Sequence, residues 1–266
     1  MKSRPMRTTI VLAFLLAGCA QAPVIPTADD LLHDELFAPP SEDTSAKQVF
    51  RMSEPMQRYL RDQLAREFRV KGVREALIDA MTEGSLRLQY DATMTRTAAQ
   101  AFDVRAGNCL SLAIMTAAFA KALRVNLHCN IADGDTWSRS GTSISLTRTS
   151  TLSLARRSAD APTRYDAAAL MTIDFLPGNE IAGLRTHEAD EATVVATFLN
   201  NRAAEALVTG RVDDSYRWVR EALSQGSAFM GAYNALGVVY LRRGEPALAE
   251  TVFRRVLSRE PRCGRG

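Results

Sequence analysis

Apolar residues recur at three- and four-residue steps twice in the first third of the chain. Met56, Tyr59, Leu60, Leu64 and Phe68 do so over 54–69, and Val73, Leu77, Ile78 and Met81 over 73–81, predicting two packing helices. Between 109 and 123 polar positions nearly vanish, as in a central helix buried all round. The pattern then shortens, and strands are expected near 125–132, 142–148 and 170–175, with 155–168, rich in Arg, Ser, Asp and Ala, as a long loop. Helical spacing returns in a leading helix over about 188–208, joined to the carboxyl-terminal region without a Pro/Gly-rich linker. There Ala203, Gly210, Ser215 and Val219 recur as Gly237, Gly244, Ala249 and Phe253, each displaced by 34 residues. Helices and strands succeeded by helices alone predict an α+β core with an all-α appendage.

The amino terminus adds an address. Lys2, Arg4 and Arg7 precede an apolar stretch, Ile10 to Leu16, too short to span a bilayer, and Leu16-Ala17-Gly18-Cys19 comes next. That tetrapeptide resembles a bacterial lipobox. The resemblance implies cleavage after residue 18, lipidation of Cys19 and, with Ala20 rather than aspartate next, anchoring at the periplasmic face of a Gram-negative outer membrane. Pro23, Pro26, Pro39 and Pro40 among acids and serines make 19–48 read as a tether to that membrane.

The formal charge of +3 equals the three basic residues of this leader, so the remainder is neutral and offers no case for nucleic-acid binding. Charge is nonetheless uneven: residues 20–55 hold seven acids against two bases, and residues 242–266 seven arginines against three acids. Arg254, Arg255 and Arg259 are expected on the exposed face of the last helix.

The 34-residue period is that of tetratricopeptide repeats. The second unit carries the fuller resemblance in Tyr233, Leu236, Gly237, Tyr240, Gly244, Ala249, Phe253 and Pro261, so 188–262 is read as a repeat pair with units of about 196–229 and 230–263. Two units seldom stand alone, so the pair is expected to dock on the preceding domain and to bind a protein or peptide partner.

Thr97-Ala98-Ala99-Gln100-Ala101-Phe102, then Gly107-Asn108-Cys109, seats a cysteine at a helix start, where the helix dipole favours a thiolate. These residues and Ala118-Phe119-Ala120-Lys121-Ala122-Leu123 resemble bacterial transglutaminase-like proteins, which share a papain-like arrangement; 49–185 is assigned to that domain. The resemblance makes Cys109 the nucleophile and Asp174, in Thr172-Ile173-Asp174-Phe175, the orienting acid. The histidine expected to open the intervening strand is absent: Ser143 stands there, and serine cannot take the thiol proton.

The chain has three histidines. His33 lies in an acidic stretch read as linker or short surface helix. His187 is read as opening the last helical region with Thr186 as cap, which leaves His128, on the first strand, as the replacement base. Cys129 beside it is expected to be buried, and Cys263 to lie in a frayed tail. Trp218 reads as packing, and Trp137 as packing or as the rim of the cysteine cleft. No CxxC or HExxH spacing suggests a metal, and no glycine loop suggests a phosphate cofactor. Three functions remain open: a degenerate transglutaminase-like binding lipoprotein; an active cysteine protease, amidase or acyl transferase using Cys109, Asp174 and a non-standard base; and a repeat adaptor with a passive first domain.

Overall fold

A computed structural model describes residues 28–82, 86–124, 127–133, 149–154, 171–174, 185–226 and 229–259. Cys19, Trp137, Ser143, Pro261 and Cys263 lie outside these residues, as do the strand expected at 142–148 and the loop expected at 155–168. Among the described residues no helix is long and apolar enough to cross a membrane. The architecture is mostly helical with a small sheet.

Helix α1 (Glu54–Tyr59) starts at Ser53, whose hydroxyl accepts from the Met56 N–H, and has proline in its first turn. It passes through a π-helical turn (Leu60–Leu64) into α2 (Ala65–Lys71), and α3 (Val73–Thr82) comes next. Strand β1 (Gln89–Tyr90) precedes α4 (Ala98–Val104) and pairs in parallel with β2 (Ala106–Gly107). Helix α5 (Cys109–Ala122) is buried from Cys109 through Ala120, as its unbroken apolar run predicts.

Helix α5 packs on a four-stranded antiparallel sheet of β3 (Leu127–Asp133), β4 (Thr149–Leu154), β5 (Met171–Asp174) and β6 (Arg185–Ala189), in the order β5-β4-β3-β6. The fourth strand corrects the expectation for His187, which lies in β6 opposite Ile131 rather than at a helix start. The long helix begins later, at α6 (Glu191–Val208), and its cap is Asp190, not Thr186; the Asp190 carboxylate accepts from the Thr193 N–H at 2.8 Å.

Helices α6, α7 (Val212–Gln225), α8 (Met230–Arg243) and α9 (Pro246–Arg259) form two hairpins packed in series. The 34-residue displacement holds in the hydrogen bonds themselves. Gly210 and Gly244 both take positive φ, at 77° and 91°. Arg211 N–H donates to the Ala206 carbonyl at 2.8 Å, and Glu245 N–H to that of Tyr240 at 2.9 Å. This closes each helix with a left-handed glycine and a reach-back bond.

The helix crossings repeat in position but not in side chain. Ala203 and Ser215 are fully buried in the first hairpin, where the Ser215 hydroxyl donates to the Ala203 carbonyl at 2.8 Å. In the second, a Cβ added at Gly237 would stand 2.5 Å from the Phe253 ring. At the corresponding positions the first hairpin carries Ala203 and Val219, both fully buried, and the second Gly237 and Phe253.

The expected tether is corrected from Ala28 onward. Residues 28–50 form a strap across the helical hairpins, burying Ala28, Leu31, Phe37 and Val49. The Phe37 ring stacks on Tyr216 at 3.8 Å and 4°, and the Tyr240 hydroxyl donates to the Leu31 carbonyl at 2.6 Å. Of the arginines expected in solvent, the strap takes up Arg255, which pairs with Asp30 at 2.5 Å; Arg259 sits 5.2 Å from the ring centre of Tyr233 in α8, and Arg254 stays exposed.

The Gly237 contact predicts that Gly237→Ala destabilises the protein by about 1–3 kcal/mol through overpacking. Adding Phe253→Val, the residue at the corresponding position of the first hairpin, is expected to recover part of that loss in urea unfolding by removing the ring that the new Cβ meets.

Candidate functional site

The turn before Cys109 is built from side chains that leave it little freedom. Thr97 and Gln100 form a reciprocal capping box at the start of α4, and Arg105 ends that helix in the left-handed region at φ 54°. Gly107 then passes so close to α5 that a Cβ there would meet the Ser111 Cβ at 2.7 Å. Asn108 caps α5: its Oδ1 accepts from the Ser111 N–H at 2.9 Å and the Ser111 hydroxyl at 2.8 Å, while its Nδ2 donates to Thr95 Oγ1 at 2.9 Å. The Arg96 N–H donates to Ser111 Oγ at 2.7 Å. Cys109 is the first helical residue, a reduced thiol 5% exposed.

The strand residues expected to join it are placed by the register of the sheet. Along the register, Cys129 and Ile131 alternate with His128 and Asn130; Leu152, Ile173 and Ala189 fall in the rows of the former, Thr151, Ser153 and Asp174 in those of the latter. Cys129 and Ala189 pack on the helical core, so His128 and Asp174 occupy rows out of phase with the core-packed ones.

His128 lies at the start of β3, which follows the carboxyl end of α5. Its neighbour Cys129 feels the charge of Glu191, which pairs at 2.6 Å with Lys121 near the carboxyl end of that helix. Cys109 begins the same 14-residue helix, about 20 Å away. Burial, with Glu191 adding to it, pushes the Cys129 thiol up to about 11, so it is neutral and unreactive at pH 7. A cleft of about 970 Å³ opens at that end too, floored by Phe50, Ala118, Ala122 and Val195 with the Lys121–Glu191 pair on its rim. Among the described residues no group of His, Cys, Asp or Glu is placed to hold a metal ion.

What the Cys109 turn does join is a polar chain leading to the strap. The Thr95 N–H donates to Glu205 Oε1 at 2.7 Å, and the other Glu205 oxygen takes Arg202 at 2.7 Å. Arg202, 8% exposed, reaches Glu42 at 3.0 Å, and Glu42 also accepts from Arg211 at 3.0 Å and Trp218 Nε1 at 3.3 Å. Arg211 continues to Asp214 at 3.1 Å, and Asp214 receives both the N–H and the hydroxyl of Ser41 at 2.7 Å. Sequence reasoning misses Glu42, Arg202, Glu205 and Asp214; Glu42 belongs to the acidic stretch 20–55, and the other three fall outside either biased end.

The second cluster is the bed of the strap. Asp34 accepts from the Tyr216 hydroxyl at 3.0 Å, from Arg217 at 3.1 Å and from Arg220 at 3.1 Å. Arg217 also donates to the carbonyls of Phe37 at 2.7 Å and Ala38 at 3.0 Å, and Arg243 to that of Leu36. The Ala38 N–H donates to Asp213 at 3.0 Å. Of the residues singled out for repeat packing, Tyr233, Leu236, Gly237, Tyr240 and Ala249 are buried, and Phe253 packs against the same core. Burial raises the hydroxyls of Tyr216 and Tyr240, the latter to about 12, so both remain donors.

Asn108→Ala removes the cap of α5 and the bond to Thr95, and is expected to cost about 0.5–2 kcal/mol in chemical denaturation. A pH dependence arises at Glu42. Burial opposes its ionisation, but hydrogen bonds from Arg211 and Trp218 and the charges of Arg202 and Arg211 outweigh it and hold its pKa below the ordinary value of 4.5. A carboxylate depressed in the folded state contributes stability that is complete above its unfolded pKa and lost as pH falls through the folded one. Urea midpoints should therefore drop on acidification below about pH 4.5, and Glu42→Gln, less stable at pH 7, should drop less steeply. Compared with known proteins, the chain matches no family model, no curated protein and no solved structure.

Proposed function

We propose that this chain is a lipoprotein, anchored through Cys19 at the periplasmic face of the outer membrane, that binds a protein or peptide through its helical hairpins. In this reading 188–262 is a tetratricopeptide-type repeat pair and the α+β part a transglutaminase-like domain that has lost its catalysis. The observation that carries it is the strap: the faces of α7 and α8 already hold a length of polypeptide by an aromatic stack and by arginines on main-chain carbonyls. Such main-chain capture with a few side-chain anchors is how peptide-binding surfaces work. The recurrence of the Gly210 and Gly244 closures at 34 residues supports the repeat assignment. The rows and level of His128, and the absence of a histidine at Ser143, support a thiol domain without its base.

A second reading, an active thiol hydrolase or acyl transferase, is favoured by one observation: Cys109 opens a helix whose turn is locked by Asn108 and Ser111, as a positioned nucleophile requires. Alkylation of Cys109 against pH separates the two, in a soluble form lacking residues 1–19 and carrying Cys129→Ser and Cys263→Ser. The binding reading expects no reaction, or a rate that rises only toward an ordinary thiol pKa of about 8.5. Rapid alkylation persisting well below pH 7 would establish an activated thiolate and give preference to the enzyme.

A further inference from the structure

The strap is bonded to the hairpins in a way that separates recognition from mere packing. Its main-chain carbonyls at Leu36, Phe37 and Ala38 are taken by Arg243 and Arg217, contacts indifferent to the side chains of the captured segment. Within 34–38, two side chains make ion-pair or ring contacts with the helices. Phe37, 5% exposed, lies flat on Tyr216 with Tyr240 at 6.0 Å and the Arg243 guanidinium 5.2 Å from its centre. Asp34 meets two guanidinium groups and a tyrosine hydroxyl, yet remains 47% exposed, so this end of the bed is open to solvent. Two cations facing one carboxylate leave the bed positively biased, and an incoming acidic segment is attracted to it.

Resting on the binding reading, we propose that this bed is a peptide site selective for a carboxylate and, three residues later, an aromatic ring, and that Asp34–Phe37 is its resident occupant in cis. The partner it fits is an exposed acidic segment of another protein carrying the same pair. A tethered occupant competes at an effective concentration in the millimolar range, so the intact chain takes an outside peptide weakly and weakening the resident raises the apparent affinity.

The test uses the full soluble chain, residues 20–266, with a protease site inserted between Thr44 and Ser45, and a fluorescent peptide of residues 28–44 as probe. After cleavage the labelled peptide is expected to exchange with the nicked strap in fluorescence anisotropy. Peptides carrying Asp34→Ala or Phe37→Ala are expected to bind at least about tenfold more weakly, the loss of one charge-assisted bond or of the buried ring. A nicked strap that never exchanges, or exchange equal for all three peptides, overturns the proposal. Should nicking unfold the protein, the uncut Asp34→Ala chain, folded by circular dichroism, serves instead. It is expected to bind the unaltered peptide about tenfold more tightly than the uncut parent, and equal binding overturns the proposal. Cys109 alkylation is scored separately: an activated thiolate unseats the binding reading whatever the peptide does, whereas failed exchange beside an ordinary thiol unseats this site alone.

Discussion

Arg202 is nearly buried, and a buried guanidinium that loses a partner costs about 3–5 kcal/mol. Its two carboxylates come from different parts of the chain: Glu205 one turn along α6, and Glu42 from the strap 160 residues earlier. Glu205 spends its second oxygen on the Thr95 main chain, and Glu42 accepts from Arg211 and Trp218. One buried charge therefore requires three segments to meet: the turn before the cysteine helix, the first hairpin and the amino-terminal strap. The hydrophobic core alone would not fix their register, because apolar contacts are non-directional. The ion-pair chain supplies the direction.

Local sequence signals succeed where a single element decides its own conformation. The 109–123 run and the helices over 54–69 and 73–81 are legible because an apolar period acts within one or two turns. The 34-residue displacement is legible too, down to the glycines that close α6 and α8. Thr186 and His187 mislead because a charged, polar stretch before a helix resembles a cap when its sheet partner, β3, lies over fifty residues earlier. The strap misleads for a related reason. Its prolines and acids have the composition of a linker, and only the arginines of α7, α8 and α9, remote in sequence, give those acids a place to bind. The opposite charge bias of the two ends anticipates Arg255 with Asp30, but Arg217 and Arg220 lie outside the arginine-rich end, and no local rule joins residues 180 apart.

For the candidate catalytic site the sequence is informative about the turn and less so about its surroundings. Strand register alternates side chains with a period of two, so one residue decides whether a histidine lies with the core-packed rows or out of phase with them. His128 and Cys129 are adjacent in sequence, and the register gives them opposite rows. Helix direction decides the rest: α5 carries Cys109 at one end and leads into β3 from the other, separating Cys109 from the start of that strand.

The same buried arginine sets a condition on anything that replaces the strap. Glu42 lies five residues beyond Phe37, and it neutralises Arg202 and Arg211 together. An occupant with the Asp34 and Phe37 anchors but no acid at that distance would leave Arg202 with Glu205 alone, and Glu205 already shares itself with Thr95. A partner segment with a second carboxylate five residues past its aromatic would meet that requirement. The strap and the cysteine turn, although far apart in sequence, are joined by one chain of ion pairs and hydrogen bonds through Arg202.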